Sequence, residues 1–165
     1  MNRLAAAIAL SMALFAIDAL TAVLACAAAD GTTGASSLQI LARHEEHAMR
    51  INMDVEGTTI TATLENSEAA RDFASLLPLT LTLEDYASTE KISDLPRRLS
   101  TAGAPSGIAP KVGDLTYYSP WGNLAVFHRD FRYSDGLVKL GTLDAGIEIM
   151  RKPGTLKVTV SKVAQ

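Results

Sequence analysis

GDLTYYSPWGNLAVFHRDFRYSDGLVKLGTLDAG, residues 113–146, decides how the rest of the chain is read. Apolar residues on either side of Pro120-Trp121-Gly122 predict two strands joined by a turn, followed by an aromatic and charged loop and then a third strand. Six of the nine aromatic residues of the chain fall here, namely Tyr117, Tyr118, Trp121, Phe127, Phe131 and Tyr133. A recognition pocket is therefore expected to draw on them, while Phe127 and Tyr117, alternating within strands, also suit a core role.

Working outward, residues 50–65 alternate apolar and polar side chains around Glu56-Gly57 and predict a β-hairpin. Asn66 or Ser67 then caps a helix that presents Ala70, Phe73, Ala74 and Leu77 on one face, and Pro78 stops it. Leu79, Leu81 and Leu83 alternate with polar residues in a half-buried strand ending near Tyr86. Residues 87–112 lose periodicity and carry Pro96, Pro105 and Pro110, which predicts a long irregular loop of the kind that often hosts function. Beyond Gly146 come a short apolar piece, Ile147 to Met150, and a last strand with Leu156, Val158 and Val160 on one face. Seven or eight strands and one clear helix, with a short second one, predict a mainly β fold: a closed antiparallel barrel or a packed sandwich, closure removing the exposed sheet edges.

Length and charge narrow the function classes. A chain of 165 residues suits one domain with a real core, and a net charge of −3 gives no basic footprint for nucleic acid. Residues 1–29 read as a signal: Arg3, an apolar run from Leu4 to Ile17, then Asp18 and an Ala-rich run ending at Ala29. Val23-Leu24-Ala25-Cys26 also resembles a bacterial lipoprotein box, in which Cys26 would be lipidated and attach the protein to a membrane, although Leu24 and Asp18 depart from the pattern. A start at Met49 is the third alternative. Localisation is thus expected to be exported, either periplasmic or anchored. Residues 30–48 read as a flexible linker in which His44 and His47 stand at metal-ligand spacing; with no third ligand nearby they read as a solvated face, and no metal or cofactor is expected. Cys26 is the only cysteine, so the domain holds together without an intrachain disulfide.

Chemistry is sparsely encoded. Arg97 and Arg98 beside Pro96 present two guanidiniums suited to a carbonyl or carboxylate, or else pair with Glu90 or Asp94 as surface charges. His128, between Phe127 and Arg129-Asp130, suits a general base or a ligand contact, but no partner serine stands at a useful spacing. There is no phosphate-binding glycine loop and no nucleophile elbow.

ENSEAARDFASLLP (residues 65–78), GDLTYYSPWGNLAVF (113–127) and LVKLGTLDAGIEIM (137–150), in this order, resemble the cyclophilin-like fold, and YASTEKISDLPRRLST before the second of them is similar to a bacterial family of small cyclophilin-like domains. The resemblance implies a cyclophilin-like barrel over residues 49–165, and an activity or a relic of one in prolyl isomerisation. The Phe-x-Arg and Phe-x-x-Gln segments that carry that activity in cyclophilins are absent, and Leu137 stands where they have a histidine. Arg97 or Arg98 would have to replace the catalytic arginine, with Phe127 carried over as the aromatic wall. The expected function is therefore binding of a peptide or small molecule through Tyr118, Trp121, Phe127, His128 and Phe131 without efficient catalysis, the alternative being an active isomerase for exported proteins. For the N-terminus, mass spectrometry of the exported protein is the check: a start at Ala28 or Asp30 marks ordinary cleavage, whereas added acyl mass on Cys26 marks lipidation.

Overall fold

A computed structural model describes residues 49–164; the signal, Cys26, His44 and His47 lie outside the described residues. Among the described residues ten strands and two helices follow one another: β1 (Arg50–Val55), β2 (Thr58–Leu64), α1 (Glu68–Ser75), β3 (Leu79–Tyr86), β4 (Glu90–Asp94), β5 (Gly107–Ile108), β6 (Asp114–Tyr118), β7 (Asn123–Phe127), β8 (Ser134–Asp135), β9 (Leu137–Leu143), α2 (Ile147–Met150) and β10 (Leu156–Lys162). Eight of the strands close into an antiparallel barrel in the order β1, β10, β3, β4, β7, β6, β9, β2, while β5 and β8 form a small separate ribbon. No helix among the described residues is long and apolar enough to cross a membrane.

The hairpin forms where the alternation placed it, with Val55 opposite Thr58 and Glu56-Gly57 at positive φ in the turn. Ile51, Met53, Val55, Ile60, Ala62 and Leu64 point into the barrel with Leu83, Leu115, Tyr117, Leu124, Val126, Val158 and Val160. Helix α1 begins at Ser67, whose Oγ accepts from the Ala70 N–H at 3.2 Å, satisfying one of the donors a helix start leaves free. It covers one end of the core with Ala69, Ala70, Phe73 and Ala74.

The segment read as a loop over residues 87–112 contains a barrel strand. β4 pairs with β7 over five residues, Glu90 opposite Phe127 through Asp94 opposite Asn123. Its sequence, EKISD, hides it because two charged residues are buried on opposite faces. The Lys91 side chain is fully buried; its ammonium pairs with Asp85 at 2.7 Å and donates to the Gly154 carbonyl. Lys91 in turn holds the Asp85 carboxyl below the usual carboxylate range, aided by the Gly154 N–H at 2.6 Å.

Strand β9 departs from strict alternation. Val138, Leu140 and Leu143 all join the barrel core, which a period of two forbids, while Leu137 faces outward into a second apolar cluster. The register explains it: Gly141 lies opposite Leu115 but Lys139 lies opposite Thr116, so Leu140 is the extra residue of a β-bulge. At the same place Gly141 meets β2. A Cβ there would lie 2.9 Å from Leu64 Cα and closer still to the Thr63 carbonyl oxygen. Gly141→Ala is therefore expected to push β9 from β2 and lower stability by about 1–3 kcal/mol, read as a lower urea midpoint with little change in the slope.

Candidate functional site

β7 is buried along its whole length because both of its faces are covered. Leu124 and Val126 fill the barrel; Asn123, Ala125 and Phe127 point the other way. Cross-strand pairing extends this outer face: Glu90 lies opposite Phe127, Ile92 opposite Ala125, Tyr118 opposite Asn123 and Leu137 opposite Tyr118. Four strands thus lay one continuous floor on the outside of the barrel. Above it lies a cavity of about 260 Å³, walled by Tyr86 at the end of β3, Trp121 of the turn before β7, Phe131 and Arg132 of the following loop, and Ser134 of β8.

The walls are positioned by hydrogen bonds. Trp121 is 55% exposed, yet its ring meets Tyr86 and Tyr118 edge-on, each at 5.4 Å between centroids. Its turn is held by Arg98, whose guanidinium donates to the carbonyls of Ser119 at 2.5 Å and Pro120 at 3.2 Å. Phe131 stacks on Phe127 at 6.3 Å, and its N–H donates to the Pro110 carbonyl at 3.1 Å. Asp130 fixes the base of that loop by accepting from the Val112 N–H at 2.9 Å and from Lys111 at 3.2 Å, contacts that also keep its carboxyl acidic. Arg132 is exposed and lies over the Phe131 ring, 5.4 Å from its centroid.

Two polar side chains sit in the floor. Asn123 is 2% exposed and its Oδ1 has no hydrogen-bond partner among the described residues. Glu90 is buried; one carboxylate oxygen accepts from the Thr89 hydroxyl, and desolvation pushes its acid up from the ordinary carboxyl range. Buried acceptors in an apolar cavity are costly unless something donates to them.

The structure brings Tyr118, Trp121, Phe127 and Phe131 together around this cavity, and the other sequence candidates fall elsewhere. Arg97 pairs with Asp72 of α1 at 2.5 and 2.9 Å, rather than with Glu90 or Asp94. That contact, with the Ser100 N–H, draws the Asp72 carboxyl down to about 2. Arg98 acts behind the Trp121 turn and does not line the cavity. His128 follows Phe127 but is buried apart from the lining; its backbone N–H donates to the Thr89 carbonyl, and its ring Nδ1 has no partner among the described residues. Burial, then the charge of Arg129, lowers its pKa and favours the neutral ring. Tyr117 is a core residue whose hydroxyl accepts from the Leu99 N–H at 3.2 Å. Tyr86, Glu90, Ile92, Asn123, Arg132 and Leu137 are lining residues that sequence reading missed as contacts. The signal for Asn123 was present in the spacing Asn123, Ala125, Phe127, one face of a strand, whereas Glu90 had none because its strand was unreadable. No group of three or more His, Cys, Asp or Glu among the described residues is placed to hold a metal.

Glu90 carries a sign. An acid whose folded pKa is raised stabilises the protein below its unfolded pKa of about 4.3 and loses that contribution as pH rises through the folded value. Glu90→Gln is therefore expected to raise the urea midpoint at about pH 7 and to leave it nearly unchanged at about pH 4.

Comparison with known proteins gives the chain its relatives. The model of the cyclophilin-like family matches residues 53–161. Among solved structures, the solution structure of the hypothetical protein AF2241 from Archaeoglobus fulgidus superposes with a TM-score of 0.53 at 17% identity, covering 70% of this chain and 95% of that one. At that identity the likeness is one of fold. No curated protein matches the chain significantly.

Proposed function

This chain belongs to the cyclophilin-like family, and on that footing we propose that its domain binds a peptide or small ligand in the aromatic cavity without efficient prolyl isomerisation, as an exported protein. The observation that carries the reading is the cavity itself: about 260 Å³ on the outer face of β4, β7, β6 and β9, with aromatic walls and a few convergent polar groups, the usual make-up of a ligand site.

Catalysis is set apart by what the cavity lacks. Twisting an X-Pro imide faces a barrier of about 18–20 kcal/mol, and each reduction of about 1.4 kcal/mol is tenfold in rate. A guanidinium fixed before the reaction begins is the efficient way to supply that reduction. Arg97 and Arg98 are engaged with Asp72 and with the Trp121 turn, and Arg132, the one guanidinium of the lining, is exposed on a loop over Phe131. At Leu137 the floor has an apolar side chain. These features support binding over turnover. The N-terminal pattern supports export.

A protease-coupled assay on Ala-Pro peptides is expected to show acceleration below about tenfold over the uncatalysed rate, a contribution under about 1.4 kcal/mol. The same peptides are expected to perturb the fluorescence of Trp121, the only tryptophan, and Ala125→Phe, which fills the cavity floor, to abolish that response. Strong acceleration lost in Arg97→Ala, Arg98→Ala or Arg132→Ala would sink the binding-only reading and name the guanidinium responsible.

A further inference from the structure

The floor of the cavity is asymmetric in its hydrogen bonding. Glu90 and Asn123 both belong to the lining and are at least nine-tenths buried, and the Glu90 carboxylate and the Asn123 Oδ1 are both acceptors. Asn123 Oδ1 has no donor, and Glu90 has only the Thr89 hydroxyl on one of its two oxygens among the described residues. An ionised carboxylate offers about four acceptor sites, so most of its capacity is unmatched. The rings of Tyr86, Tyr118, Trp121 and Phe127 line the same cavity, and aromatic π faces attract cations. The one cation of the lining, Arg132, is exposed and placed over Phe131, the outer ring of the Phe127–Phe131 stack.

We propose that this cavity takes a primary ammonium or a guanidinium, its N–H groups donating to Glu90 and Asn123 and its alkyl or aryl part lying against Tyr86, Tyr118, Trp121 and Phe127. The inference rests on the cavity being a ligand site and adds the chemical class of the ligand. A quaternary ammonium satisfies the rings and the charge but has no donor for Asn123; a neutral amide donates but brings no charge to Glu90. A primary ammonium or guanidinium does both, and such hydrogen bonds to a carboxylate are the strong ones. Free amines and the side chains of lysine or arginine in a peptide share this chemistry.

Fluorescence of Trp121 in the full chain, titrated with n-butylguanidine, n-butylamine, n-butyltrimethylammonium and butyramide, tests the idea. The first two are expected to bind at least about tenfold tighter than the last two, and Glu90→Gln to remove that advantage while a cooperative melt shows that the variant is folded. Asn123→Leu is expected to narrow the gap between n-butylamine and its trimethyl counterpart. N-acetyl-arginine and N-acetyl-lysine methylamides that bind as well as the free amines identify a peptide side chain as the source; binding by free amines alone identifies a small molecule, and either supports the proposal. Cations no tighter than butyramide, or undiminished in folded Glu90→Gln, overturn it. If Ala-Pro peptides still bind in that case, the ligand-site reading survives alone; if no probe binds and Ala125→Phe changes nothing, both readings fall.

Discussion

Strand β9 has to serve two surfaces at once, and the bulge at Leu140 is what lets it. Before the bulge, Val138 points into the barrel and Leu137 points out to the cavity floor; after it, Leu143 points in again. With strict alternation Leu137 and Leu143 would share a face, and either the seam to β2 would lose Leu143 from the core or the floor would lose Leu137. The seam tolerates neither loss easily. It consists of three residue pairs, Ala62 with Leu143, Thr63 with Thr142 and Leu64 with Gly141, and these remove the last free edge of the sheet. Gly141 at the bulge lets the β2 backbone come close enough to complete that ladder. Barrel closure and the placing of the cavity floor are therefore one constraint, met by two adjacent residues, Leu140 and Gly141.

The adjacent charges of β4 show the same two-sidedness in electrostatic form. Successive strand side chains point to opposite faces, so Glu90 and Lys91 part company. Lys91 goes to the end of the core, where a carboxylate and a carbonyl receive its ammonium. Burying a cation this way brings little net stability, since desolvation cancels most of the attraction, but it fixes where β3, β4 and the turn before β10 meet. Glu90 goes to the cavity and finds no ion-pair partner among the described residues. One charge is resolved within the fold and the other is left open toward a space that a ligand can fill. Within one short strand, the barrel core and the cavity are separated by a single step of the backbone.

Much of the barrel was legible because its strands alternate cleanly. The hairpin of β1 and β2, the capped helix, β3 and β10 each bury one face only, so period two or 3.6 is printed in the residues themselves. Legibility failed where a strand is covered on both faces or buries charge. β7, NLAVF, was read as a strand, and only its second buried face stayed hidden, since it shows no polar alternation; β4, EKISD, looked like loop because its charges are interior; β9 was read as a strand but hid its bulge among leucines around one glycine. The aromatic half of the site was readable as a cluster near the Trp121 turn. Its polar half was not, since Glu90 comes from the strand that was missed, and the spacing that sets Asn123 on one face with Ala125 and Phe127 does not say that this face floors a cavity. Arg97 and Arg98 drew notice as exposed guanidiniums beside a turn, and the partners they take, Asp72 of the helix and the carbonyls of Ser119 and Pro120, lie about twenty or more residues away.

That last pairing bears on how the cavity keeps its shape. Trp121 is largely exposed, and an exposed aromatic ring on a free turn would sample many orientations. Here the turn is tied from behind by Arg98, and from its flank by the Ser119 N–H to the Gly136 carbonyl at 2.9 Å. Gly136 in turn donates to the Ser106 carbonyl at 2.6 Å, which joins the turn to the β5–β8 ribbon and so to the loop that carries Phe131. The two aromatic walls are thus braced by the Arg98 guanidinium and by backbone hydrogen bonds outside the lining of the cavity. A wall fixed in advance loses little entropy when it receives a ligand, and more of the contact energy remains for affinity. In this architecture the Arg98 guanidinium is held by the protein's own carbonyls and braces the turn that carries the Trp121 ring.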